Sequence, residues 1–251
     1  MKAIVFDFDG TLTKKNQNIW RMLWEKCGYT TDKNSLYAKL YKMHVIDKKI
    51  TRQQWFDYTC KAFKEKGLTL QDIIATSKQI ELIGGFEETI FKLFDKGYSL
   101  HIVSGCLKET IEFKLGTNAI LFDGIETNRC IFDKDGKLQR LVPTDFDYEG
   151  KAKYLQLLIQ QGYKPEDIIF VGNSDNDEWA HSAGCHTICI NPENAEENNS
   201  QKWNKVYKNV SHLSKIFSHL DIFDKNQFEE KTETTQSIQT MQQQSDEIAE
   251  I

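Results

Sequence analysis

Ala3-Ile4-Val5-Phe6-Asp7-Phe8-Asp9-Gly10-Thr11 is the stretch whose reading decides the fold of this chain. The first four residues are apolar and partly β-branched, the pattern of a short strand buried on both faces. Two carboxylates follow, two positions apart, at the carboxyl end of that strand, and Gly10 permits a sharp change of direction. Paired acids at the end of a buried strand concentrate negative charge where desolvation opposes it, unless a cation stands beside them. Mg²⁺ is the hard cation that suits two carboxylates and a phosphate. Chemistry is therefore expected at this strand end.

Outward from that strand the pattern changes twice. Residues 14–83 contain no good strand; helical apolar spacing runs from Ile19 to Cys27, Leu36 to Ile46, Trp55 to Phe63 and Ile73 to Ile83. Thr51 is placed to cap the third of these, and Thr69 or Gln71-Asp72 to open the fourth. From Gly84 strands and helices alternate. Helices are expected at Gly85–Lys96, Leu107–Leu115, Lys151–Gln161 and Glu178–Ala183. Strands are expected at Tyr98–Val103, Ala119–Phe122, Ile168–Val171 and Thr187–Ile190, and a short strand and helix within Lys205–Leu220. Ile125–Phe132 and Lys137–Val142 flank Asp133-Lys134-Asp135-Gly136, a hairpin signal. Such alternation implies an α/β fold, a doubly wound parallel sheet with right-handed crossovers. The helical block interrupts it directly after the first strand and reads as an inserted α-helical cap. The expected organisation is a core of residues 1–13 and 84–220, a cap of residues 14–83, and an acidic, Gln/Thr-rich, flexible extension over 221–251.

Composition narrows the function classes. The chain has 251 residues, 39 % hydrophobic and 27 % charged, and a net charge of −5. From Asp221 onward eight acids against two lysines give −6, so the remainder sums to +1. A body without basic excess offers nothing for a nucleic acid polymer. No stretch reaches the length of a membrane span, and Lys2 alone precedes the first strand, which is not the pattern of a signal peptide. The six cysteines form no paired framework, and a reducing, cytoplasmic setting is expected. Cys185 and Cys189 bracket His186, but no second ligand pair follows at zinc spacing, so they read as small buried residues.

In open parallel sheets ligands bind beyond the carboxyl ends of the strands. Four polar groups fall at that edge: Asp7 and Asp9, Ser104-Gly105, Lys151, and the run Asn173 to Asp177. Each alone has an ordinary reading as a turn, a cap or a surface charge. Four at one edge, in this order, resemble the haloacid dehalogenase-like superfamily, in which phosphatases dominate. Asp7-Phe8-Asp9-Gly10-Thr11 is similar to its first motif, Ser104 to the second, Lys151 to the third, and Gly172-Asn173-Ser174-Asp175-Asn176-Asp177 to the fourth. The resemblance covers roughly residues 1–215, and helices between the first two motifs resemble the phosphoserine-phosphatase-like branch.

That resemblance implies a Rossmann-like core and a Mg²⁺-dependent hydrolase of a small phosphorylated metabolite. Asp7 is the implied nucleophile, forming an aspartyl-phosphate, and Asp9 the general acid and base. Ser104 and the backbone N–H groups of Gly105 and Cys106 are the implied phosphate cradle. Lys151 is the implied counter-charge, with Lys153 as its competitor. Asp7, the Asp9 carbonyl and Asn173 are the implied metal ligands, supported by Asp177. Asn173 stands where the family most often has Asp, which lowers the charge of the metal site by one. Phosphoserine-specific members carry a Glu soon after the first motif and a cap Arg. A gapless comparison puts Asn16 and Tyr58 at those places, with Arg52 nearby. Asn16, Trp20 and Arg52 are thus the specificity candidates. Phosphoserine hydrolysis proper, phosphoryl transfer to a second substrate, and a low-activity binding module on the same fold remain the alternatives. No partner is specified for the acidic extension.

Overall fold

The computed structural model describes residues 2–194 and 201–218. The expected flexible extension over 221–251 therefore lies outside the described residues. The described residues up to Leu213 form one compact unit, and those from Ser214 on belong to a second; a short 3-10 turn spans Leu213–Phe217.

The chain opens with strand β1 (Ala3–Phe6), every residue of which is buried. Helices α1 (Ile19–Lys26), α2 (Leu36–Tyr41), α3 (Arg52–Glu65) and α4 (Leu70–Ser77) follow. Then come α5 (Phe86–Asp95), β2 (Ser99–Leu107), α6 (Lys108–Leu115), the hairpin β3 (Gly124–Phe132) and β4 (Leu138–Val142), and α7 (Glu149–Gln160). Strands β5 (Ile168–Gly172), β6 (His186–Ile190) and β7 (Lys205–Tyr207) complete the sheet. Its order is β4-β3-β2-β1-β5-β6-β7, parallel throughout except for the antiparallel β3–β4 pair. The expected doubly wound α/β architecture is present, and β1 sits at its centre, between the two directions in which the sheet grows.

Local chemistry accounts for the element ends. Thr51 caps α3 through a capping box with Gln54, and Thr69 caps α4 through one with Asp72. At the β3–β4 turn Asp133 Oδ1 accepts from the N–H groups of Asp135 (3.0 Å) and Lys137 (2.9 Å). The two linkers joining the helical block to β1 and α5 lie side by side: Lys14 N donates to the Glu81 carbonyl (2.9 Å) and Ile83 N to the Leu12 carbonyl (2.9 Å).

Five expectations change. The strand expected over Tyr98–Val103 runs on through Ser104 and Gly105 to Leu107, and the helix expected over Glu178–Ala183 is a 3-10 helix. Ala119–Phe122 is not a strand but part of a 3-10 turn, Gly116–Leu121, in which Ile120 is 86 % exposed. A four-residue apolar run does not distinguish strand from turn by periodicity. The helix expected over Ile73–Ile83 ends at Ser77, where the Thr76 and Ser77 hydroxyls bond the Asp72 and Ile73 carbonyls (2.8 Å each), a local competition that weakens helices. The helix expected over Leu36–Ile46 becomes a π-turn from Lys42 to Ile46.

Candidate active site

Strand register brings three of the four motifs level. Phe6 pairs with Ile102 of β2 and Val171 of β5, so Asp7, Ser104 and Asn173 emerge within one or two residues of the same line. Asp7 N donates to the Val171 carbonyl (2.9 Å), which fixes the start of its loop. Past Ser104 the β2–β3 register shifts, an irregularity of the kind that re-aims backbone beside a site, and Ser104 Oγ accepts from Cys106 N (3.1 Å). Gly10 has φ +77°, and a Cβ there would meet Asn173 Nδ2 at 2.4 Å, so glycine is needed both for the turn and for the approach of Asn173.

The third motif reaches the same place from the side. Lys151, in the first turn of α7, is fully buried; its Nζ donates to Asp7 Oδ1 (2.9 Å) and also pairs with Asp177. Lys153 is exposed, so the structure brings Lys151 and not Lys153 to Asp7. Asp177, wholly buried, accepts from the N–H groups of Asn173 (2.9 Å) and Ser174 (3.1 Å) and thereby shapes the loop after β5.

The electrostatics follow from crowding three acids around one buried cation. Burial raises Asp7, Asp177 adds to the rise, and Lys151 and the Ser104 hydroxyl oppose it. Burial and then the Asp7 charge push Asp9 up to about 8. Burial alone would lower Lys151, but Asp177 and Asp7 outweigh it and hold the ammonium charged. Asp9 Oδ1 is buried without a hydrogen-bond partner.

Among the described residues no cluster of three or more His, Cys, Asp or Glu side chains could by itself hold a metal ion. A Mg²⁺ site needs no such cage, because one or two carboxylates suffice when phosphate and water complete the octahedron. The residues present fit that ion: oxygen donors only, excess buried negative charge, and an orphaned Asp9 oxygen beside them. Asn173 lines the cavity described next, and its Oδ1 accepts from the Thr11 hydroxyl (3.4 Å). Cys185, Cys189 and His186 lie on or before β6, all six cysteines are buried, and none of the three lines that cavity.

A cavity of about 700 Å³ opens from Asp7, Asp9, Ser104 and Asn173 toward the helical block. Trp20 of α1 lines it, with the indole Nε1 donating to the Gly105 carbonyl (2.7 Å). Asn16 lines the mouth, exposed and in a left-handed conformation (φ +66°). Tyr58 is 48 % exposed and outside the lining. Arg52 lies behind the wall, its guanidinium Nη2 held by Asp147 Oδ2 (2.5 Å) and stacked near the rings of Phe56 and Tyr148.

Two further residues were not singled out by the sequence. Asp147 gathers Arg52, the Asn176 side chain (3.4 Å) and the close approach of Gly105, where a Cβ would meet Asp147 Oδ2 at 2.6 Å. Asn128, buried in β3, donates to the Gly105 carbonyl (2.5 Å) and accepts from Thr144 N (2.8 Å), which orients the Gly105 peptide. A lone amide in a strand was a usable signal for Asn128; nothing local marked Asp147.

The family model "haloacid dehalogenase-like hydrolase" matches residues 1–183. The phosphoserine phosphatase of Methanocaldococcus jannaschii is 30 % identical over 181 residues, 70 % of this chain and 79 % of that protein. Among solved structures, a phospho-aspartyl intermediate analogue of phosphoserine phosphatase superposes with a TM-score of 0.65 at 24 % identity, covering 87 % of this chain and 98 % of that one. A HAD family hydrolase from Salmonella enterica subsp. enterica serovar Typhi gives a TM-score of 0.67 at 17 % identity, with 86 % of this chain and 69 % of that one covered. These structural likenesses concern the fold; the family match and the archaeal relative carry the assignment. The chain therefore belongs to the haloacid dehalogenase-like hydrolases, as a phosphatase of the phosphoserine-phosphatase-like branch.

Proposed function

We propose that the chain is a Mg²⁺-dependent phosphomonoester hydrolase that acts on a small phosphorylated metabolite through an aspartyl-phosphate on Asp7. The observation that carries this reading is the buried Asp7–Lys151–Asp177 arrangement, with the Asp9 Oδ1 buried and unpartnered two residues on from Asp7. Asp7 is the nucleophile: one carboxylate oxygen attacks phosphorus as the bond to the leaving oxygen breaks. Asp9 gives its proton to that oxygen, so an alcohol departs. Water then attacks the acyl phosphate, Asp9 takes its proton, and inorganic phosphate leaves with Asp7 restored. Burial keeps Asp9 protonated near neutrality, which the first step requires.

Ser104 and the Gly105 N–H hold the phosphoryl oxygens, with the Ser104 hydroxyl oriented by the Cys106 N–H and the Gly105 peptide fixed by Asn128 and Trp20. Lys151 balances the charge between Asp7 and the transferred group. Asp7, the Asp9 carbonyl and Asn173 would hold Mg²⁺, which neutralises phosphoryl charge when bound. We assign residues 14–83 the role of a cap over this edge, because Trp20, Tyr41 and Trp55 line the same cavity as Asp7. Among the described residues no helix is long and apolar enough to cross a membrane.

Phosphate release from a panel of phosphomonoesters, with and without Mg²⁺, tests the reading. Metal-dependent release supports it. No release from any ester, a chromogenic aryl phosphate included, removes its basis.

Two further outcomes are expected. Mg²⁺ competes with protons on the raised Asp7 carboxyl, so its affinity should climb as pH rises from about 6 to 8, with protons released on binding. Calorimetry in buffers of different ionisation enthalpy checks this, and a pH-independent affinity would contradict it. Asn173→Asp restores a charged ligand and should tighten Mg²⁺ by about tenfold, worth ~1.4 kcal/mol, in a metal titration of activity. Unchanged or weaker Mg²⁺ dependence would remove Asn173 from the ligand set.

A further inference from the structure

The part of the substrate beyond the phosphate is met by the far wall of the cavity, and that wall has a definite chemistry. Trp20, Tyr41, Trp55 and Phe56 form a connected aromatic surface. Ring centroids are 5.4 Å apart for Trp20–Phe56, 6.0 Å for Trp55–Phe56 and 6.3 Å for Tyr41–Trp55. Trp20 is tied by its indole to Gly105, so this surface begins at the phosphate cradle itself. Asp175 and Glu193 also line the cavity.

Cations are the scarce element. Among the described residues the cavity is lined by Lys15, Arg21 and Lys42, and each has a partner. Lys15 Nζ donates to the Pro192 carbonyl (2.5 Å), Arg21 pairs with Glu25 (3.1 Å), and Lys42 reaches both oxygens of Asp47 (2.7 and 2.9 Å). Just behind the wall, Lys151 is held by Asp7 and Asp177, and Arg52 by Asp147 through its Nη groups, with its Nε buried and unpartnered. A leaving group bearing a carboxylate would have to share a lysine or arginine that already has a partner. Its charge would also sit beside Asp175 and Glu193, and a desolvated anion without a counter-charge is strongly disfavoured. A cationic nitrogen meets the opposite situation: ring faces attract it, and the carboxylates add to the attraction.

Given the phosphatase reading on which it rests, we propose that the preferred substrate is the phosphomonoester of a carboxylate-free amino alcohol, with its protonated or quaternary nitrogen held by the Trp20–Tyr41–Trp55–Phe56 surface. The same contacts make phosphoserine a poorer substrate than such an ester, because its carboxylate would share an already partnered cation beside Asp175 and Glu193.

The test compares kcat/KM for phosphocholine, phosphoethanolamine, phosphoserine and 4-nitrophenyl phosphate on the full chain with saturating Mg²⁺. At least one amine ester should exceed phosphoserine by about tenfold or more, a margin within the range of desolvated cation–π contacts. Tetramethylammonium chloride, against sodium chloride at equal ionic strength, should inhibit competitively. Trp55→Leu should raise KM for the preferred amine ester by about tenfold and change kcat less. Phosphoserine turned over as well as or better than the amine esters, or no inhibition by tetramethylammonium, would overturn the assignment while leaving the phosphatase reading intact. Equal losses for Trp55→Leu on the amine ester and on 4-nitrophenyl phosphate would show a structural role and overturn it too. Absence of Mg²⁺-dependent release from all four esters would defeat both readings together.

Discussion

Asp7→Asn should lower kcat by ~10⁴-fold or more, because the amide cannot open a covalent path and its loss is not compensated by the remaining groups. The same substitution should leave the melting temperature unchanged or raise it. The Asp7 carboxyl is buried beside Asp177, and burial is the largest influence raising its pKa, so the native charge is held against its own preference. An amide of equal shape removes that opposition, and Lys151 keeps Asp177 as a partner. Thermal unfolding and steady-state turnover of one preparation check both halves. Residual activity within about tenfold of the native enzyme would rule Asp7 out as the nucleophile. A collapse in melting temperature would instead make the residue structural.

Lys151→Met carries the second large effect, with stability and activity moving together. The side chain is fully buried between Asp7 and Asp177. Methionine fills a similar volume and removes the only charge that balances the two acids. Breaking a buried pair from one side costs about 3–5 kcal/mol, because the partner is left charged and dry. At ~2–4 °C per kcal/mol for a chain of this size, the melting temperature should fall by about 10 °C. Turnover should fall by ~10²–10³-fold with the loss of charge compensation at the phosphoryl group. Combining Lys151→Met with Asp7→Asn should recover part of the lost stability and none of the activity. That outcome separates the electrostatic origin of the instability from a packing defect, which the second substitution would not relieve. Additive destabilisation in the double variant would contradict the electrostatic account.

Much of this organisation was legible because it is written locally. The β1 run and the acids after it, the Asp133–Gly136 turn, and the caps at Thr51 and Thr69 depend on neighbours a few residues away. Ser104, Lys151, Asn173 and Asp177 were legible for a different reason: each follows or opens a regular element at the same sheet edge, so topology alone gathers them. Geometry also separated Lys151 from Lys153, two positions apart on one helix, since one is buried against Asp7 and the other faces solvent.

What stayed hidden depends on distant partners. Asp147 owes its place to Arg52, 95 positions earlier, and to Asn176, 29 later; its own neighbourhood reads as an ordinary loop. Asn128 is defined by the Gly105 carbonyl, a contact made only because β2 loses its regular register with β3 just there. The stop of α4 at Ser77 and the turn in place of a strand at Ala119–Phe122 are cases where short apolar runs fit more than one structure and tertiary packing chose. Arg52 shows the limit on the functional side. Its place near the cap position held by Tyr58 was visible in the sequence, but its commitment to Asp147 was not.

Covalent capture of the phosphoryl group on Asp7 is the most direct test of the central claim. The enzyme, with Mg²⁺ and a turned-over phosphomonoester, is quenched in acid within the first turnover, digested, and its peptides weighed by mass spectrometry. One phosphoryl increment should appear on the peptide containing Asp7, disappear in Asp7→Asn, and accumulate when Asp9→Asn slows hydrolysis of the acyl phosphate. An unmodified Asp7 peptide throughout a burst of product, or an increment on a different residue, would contradict it.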